Sequence, residues 1–309
     1  MNRLFLPGLL LLGLFGCSSP EPKDEEAQPQ NSDKAEKPEE VAQVGATSGV
    51  GGEEVVEDQR SIRELLEELF REKNPEYNGG AQYQMDPSGV PVAISLAGLP
   101  LEDITMLEGL PLERLDLSGT RVSDISALKG MPLDILALEQ TRVEDLTPLK
   151  GAPIQMLYLN NTRVRSLKGL EGMPLRELYL PETRVTDLSP LAGMPLTGLW
   201  LNDTDVEDIT VLGTLPLESV TLRGTRVKDL TPLASASRLQ RIHIAETRVE
   251  DLTPLAGLKL TRLLFTPSRI QKGMDIFRLM PSIKELGDSF ESKMHPAKFW
   301  EKYDAGGFR

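Results

Sequence analysis

The chain of 309 residues holds one cysteine and two histidines, and only 5% of it is aromatic. A single cysteine excludes an internal disulfide. With only His243 and His295 to add to it, the common His/Cys metal sites are excluded, and no metal or other cofactor is expected. Stretches such as "TDLSPL" carry serines with no histidine base nearby, so no nucleophile-base pairing suggests itself. Paired carboxylates are no guide to a hydrolase where 47 residues are acidic. The glycine loop and catalytic-loop motifs of a kinase are missing as well. No enzymatic activity is expected. The arginine column from Arg121 to Arg248 lies beside an acidic one, so no uncompensated basic face is expected, which argues against nucleic acid as a partner. The longest apolar run, residues 4–15, falls short of the about 20 residues that a bilayer-spanning helix needs.

What is present begins with that run. Arg3 precedes it and Gly16 and Cys17 follow it, the order of an export signal over residues 1–16. "LFGC" resembles the lipobox of bacterial lipoproteins. The resemblance implies cleavage before Cys17, lipidation of its sulfur, and stable attachment to a membrane. Ser18, rather than an aspartate, follows the cysteine, which by the same resemblance points to the outer membrane or cell surface. The alternative is an ordinary signal peptide with an incidental cysteine.

Residues 17–60 then form a tether. Residues 18–58 include twelve acidic residues, three lysines and no aromatic, and such a composition cannot bury enough apolar surface to fold. As a coil they would span about 35 Å, and self-repulsion would lengthen that. Spacing is the expected role, with binding of a basic partner as the alternative.

Self-comparison reveals the rest. Thr120, Thr141, Thr162, Thr183, Thr204 and Thr225 fall 21 residues apart, and Thr247 follows after 22. Val122 to Val249 keep the same step, as do pairs such as Leu115/Leu117 and Leu178/Leu180. The unit "LxxLxLxxTxVxDLxPLxGMP" is similar to the leucine-rich repeat in its short, internalin-like form over residues 92–266, about nine coils. The resemblance implies a solenoid horseshoe with a concave parallel sheet and convex turns or 3₁₀ segments. The residues agree, since leucines alternating with another residue suit a strand with one buried face. Asp187 can cap the turn that follows it, with Pro190 just inside. One coil cannot bury its own leucines, so each depends on its neighbours.

Both ends of such a stack need covers. Residues 61–91 offer a helix, with Ser61 and Glu64 spaced as a capping box, and a hairpin turning at residues 86–89. Residues 267–309 offer two short helical stretches rich in aromatics. The coils and the C-terminal wording also resemble repeat tails that follow some bacterial Ser/Thr kinase domains, without the kinase domain. A monomer is expected.

Function must then lie on the surface. The residue between the paired strand leucines forms a column, expected to be exposed: Ser95, Asp116, Ala137, Tyr158, Tyr179, Trp200, Thr221, His243 and Leu264. At about 4.8 Å between strands, Tyr158, Tyr179 and Trp200 make a continuous aromatic strip. The flanking strand columns add Met156, Glu177 and Gly198 on one side and Asn160, Pro181 and Asn202 on the other, and Gly198 is expected to leave a gap beside Trp200. Large rings with few torsions to freeze suit a protein-binding face made of Tyr158, Tyr179, Trp200, Met156, Asn160, Asn202 and His243. The competing readings are a glycan laid against the rings with hydrogen bonds from Asn160 and Asn202, a spacer, or simple preference of aromatics for strands. An arginine column (Arg121, Arg142, Arg163, Arg184, Arg226, Arg248, interrupted by Asp205) and an aspartate column (Asp124, Asp145, Asp187, Asp208, Asp229, Asp251, interrupted at Ser166) are expected to neutralise each other at the strand edge.

Overall fold

The computed structural model describes residues 60–308. Cys17 and the rest of the expected signal and tether lie outside the described residues, apart from Arg60.

Helix α1, Ile62–Lys73, starts where the sequence places it. Ser61 Oγ accepts from the Glu64 amide at 3.3 Å and Glu64 Oε2 accepts from the Ser61 amide at 2.9 Å, so two orphan amides of the first turn are satisfied reciprocally. The helix buries Leu66 and Phe70. Asn74, only 4% exposed, pins its end to the first coil: its Nδ2 donates to the Asp103 carbonyl and its Oδ1 accepts from the Glu102 and Asp103 amides. Strands β1 (Gln82–Met85) and β2 (Pro91–Ser95) pair antiparallel, and Asp86 and Val90 close the turn between them.

From β2 onward every pairing is parallel. The strands are β3 (Arg114–Asp116), β4 (Ile135–Ala137), β5 (Met156–Tyr158), β6 (Glu177–Tyr179), β7 (Gly198–Trp200), β8 (Ser219–Thr221), β9 (Arg241–His243), β10 (Arg262–Leu264) and β11 (Glu285–Gly287). Sheet order follows chain order throughout, giving eleven strands. The register places like on like: Leu115, Leu136, Leu157, Leu178 and Leu199 pair in series and are fully buried. This is the leucine-rich repeat solenoid, with 3₁₀ turns opposite the sheet and helices at its ends. The sheet runs one strand further than the repeat pattern, because β11 pairs with β10 from within the C-terminal covering segment.

Each recurrent residue has a task inside its own coil. The threonines are buried, and each hydroxyl donates to the carbonyl three residues back, as Thr183 does to Leu180 at 2.8 Å. The residue before each threonine turns the chain with a positive φ, as at Gln140, Asn161, Glu182, Asp203 and Glu246. Side chains there cost about 1–2 kcal/mol against glycine, so five coils carry local strain that burial of their leucines offsets.

The aspartates carry out the turn capping expected of Asp187 rather than the neutralisation expected of the column. Asp124, Asp145, Asp187, Asp208, Asp229 and Asp251 each accept a hydrogen bond from the amide two residues on, at the start of the next turn. These bonds and those from the turn hydroxyls hold the carboxyls of Asp145, Asp187, Asp208, Asp229 and Asp251 below the usual range. The column therefore locks turns and does not mainly neutralise the arginines. Arginines find other partners: Arg121 pairs with Glu76 at 2.9 Å and Arg226 with Asp205 at 2.5 Å. Ser166 does the aspartate's work in its coil, accepting from the Lys168 amide at 3.2 Å. That coil has no 3₁₀ turn, and its chain passes so near the previous coil that a Cβ on Gly169 would lie 2.6 Å from the Leu146 carbonyl oxygen. The interruption at Ser166 thus belongs to a tighter coil contact.

At the other end, α2 (Met274–Arg278) and α3 (Pro296–Asp304) bring Phe277, Phe299 and Trp300 over the last coil. Phe299 lies 5.6 Å from Phe265 and edge-on to Trp300 at 5.1 Å, ring centre to ring centre. Residues 287–293 leave the sheet, turn, and return through paired bonds between Leu286 and Met294. The tip of this loop, Phe290, comes back over the sheet.

Candidate docking face

The aromatic strip exists. Tyr158 and Tyr179 stack at 4.4 Å and 16°, and Tyr179 and Trp200 at 4.0 Å and 5°. In-register strands bring their Cα atoms side by side, so three large flat side chains fill the spacing by lying face to face. The Trp200 indole lies over Gly198, where a Cβ would sit 2.6 Å from two ring carbons. The expected gap at Gly198 is therefore the bed of the indole, and a side chain there would displace it.

The expected exposure of the column needs correction. Tyr158 and His243 are each 3% exposed, Asp116 is 5% exposed, and Ala137 and Leu264 are fully covered. Only Ser95, Tyr179 and Trp200 stay half-buried. Side chains one strand apart shield one another, and the C-terminal loop shields the last members. His243 lies beneath Phe290, edge to face at 5.2 Å, separated from Trp200 by the coil of Thr221. Both its ring nitrogens are buried without a hydrogen-bond partner. Burial lowers its pKa to about 4; the Asp288 backbone opposes the shift without reaching hydrogen-bond geometry. His243 is thus a covered residue, apart from the strip.

The strip's neighbours divide by charge. Toward β3, Asp116 and Glu139 are 5% and 6% exposed. Ser95 Oγ donates to Asp116 and Asn160 Nδ2 donates to Glu139 Oε1 at 2.7 Å. Burial first, and the Asp116 charge second, push the Glu139 carboxyl up to about 7. Tyr179 donates to Glu177 Oε2 at 2.7 Å, and burial raises the pKa of both tyrosines, that of Tyr158 to about 12. Among the described residues none of these three carboxylates has an ion-pair partner. Toward β9 the pattern reverses. Arg223 bridges Asp203 and Glu246, each at 2.9 Å, while Arg262 and Lys293 share Glu285 at 2.5 and 3.1 Å.

Of the residues picked out in the sequence, Tyr158, Tyr179, Trp200, Met156, Asn160 and Asn202 fall together on β5 to β7 and the positions just after them. Met156, Asn160 and Asn202 are half-buried. Both amides are engaged inside the molecule, Asn160 with Glu139 and Asn202 as acceptor from Thr221. Glu139 was missed, and Glu177 was placed in a flanking column without being counted among the binding residues. Glu139 sits at the same repeat position as Asn160 and Asn202, and that shared position was the available signal.

No family model matches the chain, and no curated protein matches it. Solved structures do. It is similar to an internalin (InlF) from Listeria monocytogenes, at 24% identity over 63% of this chain with a TM-score of 0.56. It is also similar to internalin C2 (InlC2) from the same species, at 25% identity over 57% of this chain and 81% of that one, with a TM-score of 0.54. A plant peptide hormone receptor, RGFR1 in complex with RGF2, shares the fold at 13% identity and a TM-score of 0.51, over 66% of this chain and 35% of the receptor. The chain spans 59% of the first internalin's length. The described part is therefore a leucine-rich repeat protein that resembles the bacterial internalins in fold.

Proposed function

We propose that this chain is a non-enzymatic binding protein that docks another protein on its sheet face, centred on Tyr179 and Trp200 with Tyr158 as their support. The observation that carries this reading is the stack itself. Tyr179 and Trp200 are half-buried yet held 4.0 Å apart and nearly parallel, so little side-chain freedom remains to be lost on binding. Rigid aromatics on a sheet are frequent hot spots. The receptor solved with RGF2 offers a fold-level analogy for a peptide or protein partner. A glycan would need hydrogen-bonding groups that reach out beside the rings, whereas Asn160 Nδ2 and Asn202 Oδ1 are bonded within the molecule and Asn160 Oδ1 is buried.

The same proposal places the solenoid on a lipid anchor at Cys17, in the bacterial envelope and at the outer membrane, with residues 18–58 as spacer. The signal-like residues 1–16 and the sequence "LFGC" support this. Mass spectrometry of the N-terminal peptide from cells is expected to find acylated Cys17, and an unmodified cysteine would remove the anchor. For docking, crosslinking in intact cells is compared between wild type and Tyr179→Ala/Trp200→Ala. A partner held by wild type and lost from the variant is expected; equal recovery would move docking off this face.

A further inference from the structure

Charge assigns the partner a chemistry. The end of the sheet face from β3 to β6 is rich in acceptors and poor in donors. Asp116, Glu139 and Glu177 carry three carboxyls without an ion-pair partner among the described residues; Glu139 and Glu177 act on Tyr158, Glu177 accepts from Tyr179, and Asp116 lies two strands further on, beyond Ala137. Beside them, two further polar atoms are buried with nothing bound to them, the Asn160 side-chain Oδ1 and the Ser118 hydroxyl. The donors supplied by the protein are few: Ser95 Oγ and the Ser118 amide to Asp116, Asn160 Nδ2 to Glu139, and Tyr179 to Glu177. Elsewhere the same solenoid neutralises such groups. Asp203, Glu246 and Glu285 are met by Arg223 and Arg262, and Asp205 and Glu207 by Arg226 and Lys228. Among the described residues Asp116 and Glu139 lack such an ion pair although they are nearly covered.

We propose that the docked partner presents a basic segment, with an arginine or lysine side chain seated over Asp116 and Glu139 and its neighbours running along Tyr179 and Trp200. The inference rests on the docking reading above and gives it a ligand class. A guanidinium is planar, brings five donors and no acceptor, and so answers this surplus of acceptors. Aromatic faces and edges beside carboxylates also suit a cation that stacks. Folding has already stripped water from Asp116 and Glu139, so seating a cation over them costs little further desolvation of the carboxyls.

The test measures binding of fluorescein-labelled nona-arginine, with nona-glutamate as control, to the full chain and to Asp116→Asn/Glu139→Gln. The acidic residues 18–58 are common to both proteins and supply the same background. Wild type is expected to bind nona-arginine at least tenfold more tightly than the variant and to ignore nona-glutamate. Equal affinities, or no binding by wild type, would overturn the assignment. Should the double variant fail to fold, Glu177→Gln, at a half-buried side chain, is expected to weaken binding at least threefold, and no change there counts against the proposal. The crosslinked partner separates the two readings. If its capture is lost in Tyr179→Ala/Trp200→Ala but is untouched in Asp116→Asn/Glu139→Gln, the docking face stands and the basic segment falls. If neither variant changes capture, the docking face itself falls.

Discussion

The two ends of the sheet face are built from the same repeat and end up opposite in character. Toward β9 and β10, ion pairs join neighbouring coils and Phe290 closes over His243. Toward β3 to β6, the Asp116 and Glu139 carboxyls lie buried with no ion-pair partner among the described residues, and beyond the covered Tyr158 the Tyr179 ring stays half open. The repeat fixes where side chains stand, and a few substitutions at fixed positions decide whether a stretch of surface is finished within the chain or left for a partner.

Five substitutions break or sharpen that contrast. Tyr158→Ala removes a covered ring from the base of the stack and is expected to cost about 3–5 kcal/mol, measured by urea unfolding. Trp200→Ala, at the half-open end, should cost clearly less, and equal costs would mean that the strip is core throughout. Next comes Glu139. Its carboxyl is raised to about 7 in the folded chain, so the fold holds an extra proton that the unfolded chain has lost. Stability from this group is whole in acid, declines above the ordinary carboxylate range, and is gone as pH rises past about 7. Glu139→Gln should therefore gain about 2–3 kcal/mol over wild type at pH 8 and little at pH 4, read as denaturation midpoints. A gain independent of pH would contradict the raised carboxyl.

His243 gives the mirror image. Lowered to about 4, it stays neutral in the fold, and its contribution is lost as pH falls from the ordinary imidazole range through that value. Wild type should lose about 1 kcal/mol between pH 7.5 and 5.5 relative to His243→Phe. Parallel pH profiles for the two would show that the ring is not buried neutral under Phe290. The smallest effect is expected at Arg223→Met, which opens a half-exposed bridge and should cost at most about 1 kcal/mol, less in high salt.

Much of this architecture could be read from the chain. A 21-residue step repeated through Thr120 to Thr225 fixes both register and buried face, because every coil must match its neighbour. The stack of Tyr158, Tyr179 and Trp200 followed from that register alone. Exposure did not follow, since it depends on how far each side chain leans over the next strand and on the 287–293 loop, which no periodicity announces. Turn capping was legible at Asp187, but the aspartate column was misjudged as a counter-charge for a related reason. Spacing along the chain placed them near arginines, but an amide two residues away is a closer and better oriented donor. Glu139 escaped notice because its importance arises from burial beside Asp116, a relation between coils.

In-register stacking also makes the aromatic strip a quantity that gene rearrangement can count. Each coil enters and leaves by the same geometry, so loss of one 21-residue unit would rejoin equivalent surfaces. Deleting the coil that carries Tyr179 would set Trp200 directly upon Tyr158, and duplicating it would add a fourth ring. Strip length can thus change by whole steps through unequal crossing-over, without passing through misfolded intermediates, and ligand size could be followed by insertion or deletion rather than by point substitution.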